Sequence, residues 1–172
     1  DTLCINAFAM GTWIAGTYMN SAMWRLADLG HRIITITPGI TKEEIARELE
    51  VLGPRFKQVL IMGYPPFVKD VVDYAKTRNI KLPRLDIMCL FAGENFSEQW
   101  RDYILTRIGK KNKPESTLGM YGTADAGIVG VESPLSIYIR RIAAKDRRLY
   151  ETIFGRDTIL PTLVQYNPEL RY

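Results

Sequence analysis

Two glycine-bearing stretches concentrate the aromatic and polar side chains that could do chemistry. The first is Leu90-Phe91-Ala92-Gly93-Glu94-Asn95-Phe96, an apolar run that ends in small residues and then offers a carboxylate and an amide. Small residues at a strand end let a flat ring approach the backbone, whose N–H and C=O groups can read its edge. A tight turn in which Asn95 satisfies nearby backbone groups would use the same residues, so this stretch alone leaves both readings open. The second is Gly119-Met120-Tyr121-Gly122-Thr123-Ala124-Asp125-Ala126-Gly127. A tyrosine at a strand end can stack on an aromatic base, the glycine beside it permits an unusual turn, and a hydroxyl and a carboxylate follow within reach of phosphate oxygens or their Mg²⁺. A glycine-rich turn around a packed tyrosine is the plainer alternative.

Other chemistries are disfavoured by what the chain lacks. It has no GxxxxGK[ST] phosphate loop and no GxGxxG after its first strand-like run, which argues against a self-contained nucleotide hydrolase or a dinucleotide-dependent dehydrogenase. One histidine and two distant cysteines would make an unusual zinc site. His31 stands at the start of a strand-like run without an evident nucleophile to serve. The net charge of +4 is spread among interspersed acids and bases, so no nucleic-acid partner is expected. Lys110, Lys111 and Lys113, and then Arg140, Arg141, Lys145, Arg147 and Arg148, are the densest basic stretches, and the latter have the spacing of a solvated helix face. Cys4 and Cys89 fall inside apolar runs, where cysteine acts as a small buried hydrophobe, and a reducing cytoplasmic setting is expected. No apolar run reaches the roughly 18 residues that span a bilayer, and no membrane association is expected.

The elements that must position the two stretches follow from periodicity. Residues 2–8, 31–37, 57–63, 85–91, 117–121 and 160–165 read as strands, with five helices between them. Thr41 and Glu44 form a capping-box pattern before Ile45, Leu49 and Leu52. Pro65 and Pro66 open a helix that buries Phe67, Val71, Val72 or their neighbours. Ser97 is an N-cap before Trp100, Tyr103, Ile104 and Ile108. Ser133 and Pro134 open a long helix expected to run to Phe154, with Gly155 as its stop. Trp13, Tyr18 and Trp24 lie in the first helix and are expected mostly in the core, although an exposed apolar surface there would support self-association. Strands that are apolar throughout imply helices on both faces of the sheet. The reading is a single α/β domain over 1–172: a doubly wound, mostly parallel sheet whose chemistry lies in the loops beyond the carboxyl ends of its strands.

At its two loops the chain resembles the phenylacetate–coenzyme A ligase branch of the adenylate-forming (acyl-CoA synthetase/AMP-binding) enzymes. Ala92-Gly93-Glu94 is similar to that family's Gly-Ala-Glu-like turn, and Tyr121-Gly122-Thr123-Ala124-Asp125 to its later Tyr-Gly-x-Ser/Thr-Glu motif, in the same order. The run from Asp1 through Pro38-Gly39 resembles the family's strand, long helix and glycine-bearing loop, and Gly63-Tyr64-Pro65-Pro66 sits where the family opens a helix near its acyl pocket. The resemblance implies that Ala92, Gly93 and Glu94 line an adenine, that Tyr121 stacks on it with Gly122 allowing the approach, and that Thr123 lies near the phosphates. It implies Asp125 as the Mg²⁺ ligand in place of the family's glutamate, with Ala124 at the usual hydroxyl position. Met10, Tyr64, Pro65 and Phe67 would face a small, apolar or aromatic carboxylic acid.

The implied reaction has two halves. A carboxylate attacks the α-phosphate of ATP to give an acyl-adenylate and pyrophosphate, and a thiol such as coenzyme A then displaces AMP. Such chemistry works mainly by positioning and charge neutralisation. The family's Ser/Thr/Gly-rich phosphate loop, its ribose-binding aspartate and its C-terminal lysine have no counterpart here. Weak adenylate binding and negligible turnover are therefore expected of this chain alone, as of the central piece of a larger AMP-binding domain. A start at Asp1 without Met and an end just after a strand-like run fit that expectation. The alternatives are a noncatalytic α/β module that senses a nucleotide or a partner, and a homodimer built on apolar surface.

Overall fold

β-branched and aliphatic runs form the strands of the computed structural model, which describes residues 1–156 and 165–166. They are β1 (Thr2–Ala7), β2 (Ile33–Ile36), β3 (Gln58–Gly63), β4 (Ile87–Phe91), β5 (Thr117–Thr123), β6 (Gly127–Val131) and β7 (Gln165–Tyr166). The helices are α1 (Ile14–Asp28), α2 (Lys42–Val51), α3 (Pro65–Thr77), α4 (Glu98–Arg107), α5 (Pro134–Ala143) and α6 (Arg147–Phe154). One sheet carries all seven strands in the order β2-β1-β3-β4-β5-β6-β7. The pairs from β2 to β5 are parallel, and β5–β6 and β6–β7 are antiparallel.

Strand alternation sends side chains to two cores. Leu3 and Ile5 of β1, Val59 and Ile61 of β3, and Ile87 and Phe91 of β4 meet Ile45 and Leu49 of α2, Val68, Val71 and Val72 of α3, and Ile104 of α4. Their neighbours in the strands, Cys4 and Met62 among them, turn the other way to Met19 and Met23 of α1. Helices therefore cover both faces of an α/β sheet, as the apolar strands required. The placement follows from right-handed crossovers: the chain steps one way from β1 to β2 through α1, then back across β1 to β3 through α2 on the opposite face. Each fully buried aliphatic side chain contributes about 1.5–3 kcal/mol.

Several local signals act as read. Pro65 opens α3, and the Ser97 hydroxyl accepts the Trp100 N–H at 3.1 Å to cap α4. Gly155 ends α6 at φ +85°. Others differ. Thr41 precedes α2 but its side chain makes no capping bond; Glu43 and Glu44 in the first turn instead complement the helix dipole. His31 lies outside β2. The helix expected from Pro134 to Phe154 is two helices, because the Asp146 carboxylate accepts the N–H groups of Arg148 and Leu149 and so starts a new one. The glycine-rich stretch from Tyr121 to Gly130, expected as a loop, is a hairpin: residues 121–123 continue β5, 124–126 turn, and 127–130 fold back on it in β6. Of the strand expected over 160–165, only Gln165 falls among the described residues, in β7. Trp13 is 70% and Trp24 59% exposed and Tyr18 45%, so these rings do not enter the core: α1 turns its methionines inward and its larger aromatics out.

Candidate functional site

The last parallel pair between β4 and β5 is Phe91 with Gly119. Beyond it β4 turns away toward α4, while β5 changes partner and pairs with β6 from Met120–Val131 onward. The two chains part, and a cleft opens between them. It holds about 380 Å³ and is lined by Gly93, Glu94, Asn95, Phe96, Gly119, Met120, Tyr121 and Gly122. That volume is at the small end of the roughly 300–1,000 Å³ usual for small-molecule sites. Strand order reverses between β1 and β3, where ligands commonly bind in such sheets; here the opening arises instead from the parting of β4 and β5.

The β4 wall is a turn made possible by Gly93 at φ +95°. Asn95 spends its side-chain oxygen on the Phe96 N–H at 2.8 Å, so the local reading of that amide applies. Phe96 is anchored by an edge contact with Phe91 and a tilted contact with Trp100, at centroid distances of 5.3 and 5.0 Å. Across from it Tyr121 is 58% exposed, leaving a ring face open to a planar partner. The ladder shifts register between Tyr121 and Gly122, and a Cβ at Gly122 would collide with the Gly127 carbonyl. Only glycine lets the hairpin close there.

Gly93, Glu94, Tyr121 and Gly122 thus come together on one cleft, although the sequence separates them into two stretches. Ala92 instead packs toward the α1 face. The Thr123 hydroxyl accepts the Ala126 N–H at 3.0 Å, closing the hairpin tip, and Asp125 stands exposed in that tip. The four acyl-pocket candidates disperse. Tyr64 donates its hydroxyl to the Glu94 carboxylate and lays its ring beside Gly93. Pro65 is buried at the start of α3 and lines, with Trp100, a neighbouring depression that shares Glu94, Asn95 and Phe96 with the cleft. Phe67 packs against the core under α3. Met10 is exposed beside Gly16 of α1.

Sequence reasoning missed the charges behind the cleft. Arg140 was expected on a solvated face but is 1% exposed. Its guanidinium donates to the Phe96 carbonyl at 2.6 Å and to Glu98 at 3.0 Å. Arg141 is half-buried between Glu98 and Asp102. Burial lowers the Arg140 pKa from its ordinary value, and Glu98 and Glu132 oppose that effect. The partners lie 42 residues away in the case of Glu98, so no local pattern announces them. Both cysteines are buried and free, as read.

The donor set suits some ligands better than others. Glycine backbone and an exposed tyrosine fit a flat heteroaromatic ring. Among the described residues no group of three or more His, Cys, Asp or Glu could hold a metal ion. A single carboxylate such as Asp125 suits Mg²⁺ only when phosphate oxygens and waters complete its shell. No helix among the described residues is long and apolar enough to cross a membrane.

No protein-family model matches the sequence, and no curated protein matches it. Among solved structures, the fold is similar to part of a 2-hydroxyisobutyryl-CoA ligase, described in an open conformation in complex with 2-HIB-AMP and CoA. The TM-score is 0.55 at 15% identity, over 73% of this chain. The chain spans 25% of the length of that ligase, and the likeness is one of fold, to an acyl-CoA ligase segment.

Proposed function

We propose that this chain supplies the adenine-binding cleft of an ATP-dependent acid–thiol ligase of the adenylate-forming type. The observation that supports the reading is the convergence of the Glu94 turn and the Tyr121 strand on one cleft, in a fold similar to part of an acyl-CoA ligase. In this reading Tyr121 stacks on the adenine, and the backbone at Gly93 and Gly122 admits the ring edge. Glu94, steadied by Tyr64, faces the ring's polar rim. Ala92 acts by its small size behind the turn, and Thr123 shapes the hairpin tip rather than touching phosphate. Asp125 would hold Mg²⁺, which when bound neutralises phosphate charge. Met10, Tyr64, Pro65 and Phe67 belong to loops from which a pocket for a small apolar or aromatic acid could be completed, as the phenylacetate–coenzyme A ligase resemblance implies. The thiol acceptor is coenzyme A, and the protein works in the cytoplasm.

A titration of the ¹⁵N-labelled chain with AMP tests the reading. Shifts should concentrate at Gly93, Gly119 and Gly122 and disappear in Tyr121→Ala; shifts elsewhere, or none, would refute it. Pyrophosphate release should stay at background, and ordinary turnover would overturn the expectation that this chain alone is inactive.

The exposed position of Asp125, with Ala124 beside it, favours one second reading: a noncatalytic module that senses adenylate without Mg²⁺. AMP affinity that is unchanged by chelation and by Asp125→Ala would select it.

A further inference from the structure

A buried charge cluster lies behind the cleft and has no part in the adenylate reading. Arg101 is 0%, Arg140 1% and Glu132 4% exposed. Arg101 Nη2 donates to both Glu132 oxygens at 2.7 and 2.8 Å, its Nε donates to Glu98 at 3.0 Å, and its Nη1 donates to the Thr117 carbonyl. Arg101 and Arg140 thus share Glu98 and Glu132, and Arg141 with Asp102 joins at the more exposed edge, so three arginines meet three carboxylates and the formal charges balance. Burying such ions is costly, and apolar residues of similar volume often serve stability as well. What the cluster touches is more informative than its energy.

The contacts fall on the backbone of the cleft. Glu132 Oε2 accepts the Gly119 N–H at 2.7 Å, and the Glu132 N–H donates to the Gly119 carbonyl at 2.8 Å. One residue therefore holds both polar groups of Gly119, at the point where β5 leaves β4. A Cβ at that position would come within 3.1 Å of Glu132 Oε2, so the carboxylate fills the space behind the strand. On the opposite wall Arg140 holds the Phe96 carbonyl. Arg140 also lies 3.8 Å from Glu132, which joins the two anchors into one network.

We propose that Glu132 is the positioning residue of the cleft: clamped by Arg101 and flanked by Arg140, it fixes Gly119 relative to Phe96 and so sets the width open to a planar ring. The identity of that ring as adenine rests on the function proposed above; the positioning itself does not.

Glu132→Gln separates charge and shape. Gln keeps one acceptor oxygen and turns the other into an N–H₂ donor; Arg101 Nη2 lies against both positions, so either orientation sets donor against donor there, removes the charge that offsets Arg101 and loosens the hold on the Gly119 N–H. The variant should exchange its Gly119 amide hydrogen faster than wild type. Its AMP affinity should fall by about tenfold or more, the cost of one unsatisfied buried group at this site. The double variant Arg101→Met/Glu132→Met removes both partners, and its stability should recover relative to Glu132→Met. Fast Gly119 exchange and weak AMP binding should nevertheless persist in it, whereas a merely structural role would restore both together. If Glu132→Gln does not fold, the double variant decides alone. Wild-type exchange at Gly119 and wild-type AMP affinity in a folded variant would overturn the proposal. If AMP leaves the wild-type spectrum unmoved, the adenylate reading fails. Gly119 exchange in the variants then decides the positioning role by itself: faster exchange upholds it, and unchanged exchange overturns it.

Discussion

The phenol of Tyr64 donates a hydrogen bond to the carboxylate of Glu94, tying the loop after β3 to the loop after β4 across neighbouring strands. The bond holds the Tyr64 proton, raising its pKa above the ordinary 10.0, with burial and the Glu94 charge adding to the effect. A raised pKa means that this contribution to stability is present at neutral pH and is lost as pH climbs through the folded-state value. Tyr64→Phe should therefore delete a late-ionising phenolate from an alkaline absorbance titration. Because the pair is exposed, the stability loss at neutral pH should be small. Loss of amplitude from the ordinary range instead would show that the bond does not form in solution.

Gly122 is the hinge of the hairpin that carries Tyr121. A Cβ there meets the Gly127 carbonyl, which is backbone and cannot rotate away. Gly122→Ala should cost about 1–3 kcal/mol in urea unfolding, as overpacking does. It should also shift the amide resonances of residues 121–131 and leave those of β1 and β3 in place. A variant as stable as wild type would mean that the ladder shifts at Gly122 for another reason.

The same hairpin marks the limit of what the sequence discloses. The parallel layer was legible because strands buried on both faces must be apolar throughout, as residues 59–63 are, and because Pro65, Ser97 and Gly155 punctuate helices by local chemistry. The two cleft stretches were legible because glycine and tyrosine at strand ends are recognisable by type. Strand β6 was not: Gly127 and Gly130 interrupt its pattern and suggest a loop, and its pairing depends on the bulge at Gly122. The α5/α6 break turned on one carboxylate, Asp146, whose capping role looks like any acid within a basic helix. Arg140 was hidden by its company. Four basic neighbours suggest a wet face, while the acids that bury it come from α4 and from the start of α5's loop.

Arg140 and Arg141 are adjacent in sequence but should differ sharply under substitution. Arg140→Met leaves the Phe96 carbonyl without its buried donor and takes one buried cation from the cluster around Glu98 and Glu132, and should cost about 3–5 kcal/mol, as breaking a buried ion cluster does. Arg141, whose side chain is 27% exposed, pairs with Glu98 and Asp102 near solvent and should cost about 1 kcal/mol or less. Urea unfolding of the two variants compares them directly. Equal losses would contradict the burial difference.

Glu48 on α2 gives a pH-dependent test in another part of the molecule. Burial, and then the nearby charge of Glu44, raise its pKa from 4.5 to about 7, and its Oε2 has no hydrogen-bond partner. A carboxylate with a raised folded-state pKa stabilises the fold below its unfolded value and loses that contribution as pH rises through about 7. Glu48→Gln should therefore raise the Tm near pH 8 and change it little near about pH 5, where the folded protein already holds the proton. An equal Tm change at both pH values would mean that Glu48 ionises normally.

The tryptophans report on the outer face of α1. Trp13 and Trp24 are 70% and 59% exposed, whereas Trp100 packs edge-on against Phe91 at 5.1 Å. In dilute solution iodide should quench most of the fluorescence, and the double variant Trp13→Phe/Trp24→Phe should leave a blue-shifted, poorly quenched Trp100 signal. Exposed rings of this size on one helix are also where a second copy of the chain would bury apolar area. If such a homodimer forms, quenching of the wild type should fall as protein concentration rises, in step with an increasing sedimentation coefficient, and the double variant should show neither change. Concentration-independent quenching with a constant sedimentation coefficient would leave α1 facing water in a monomer and remove the homodimer from consideration.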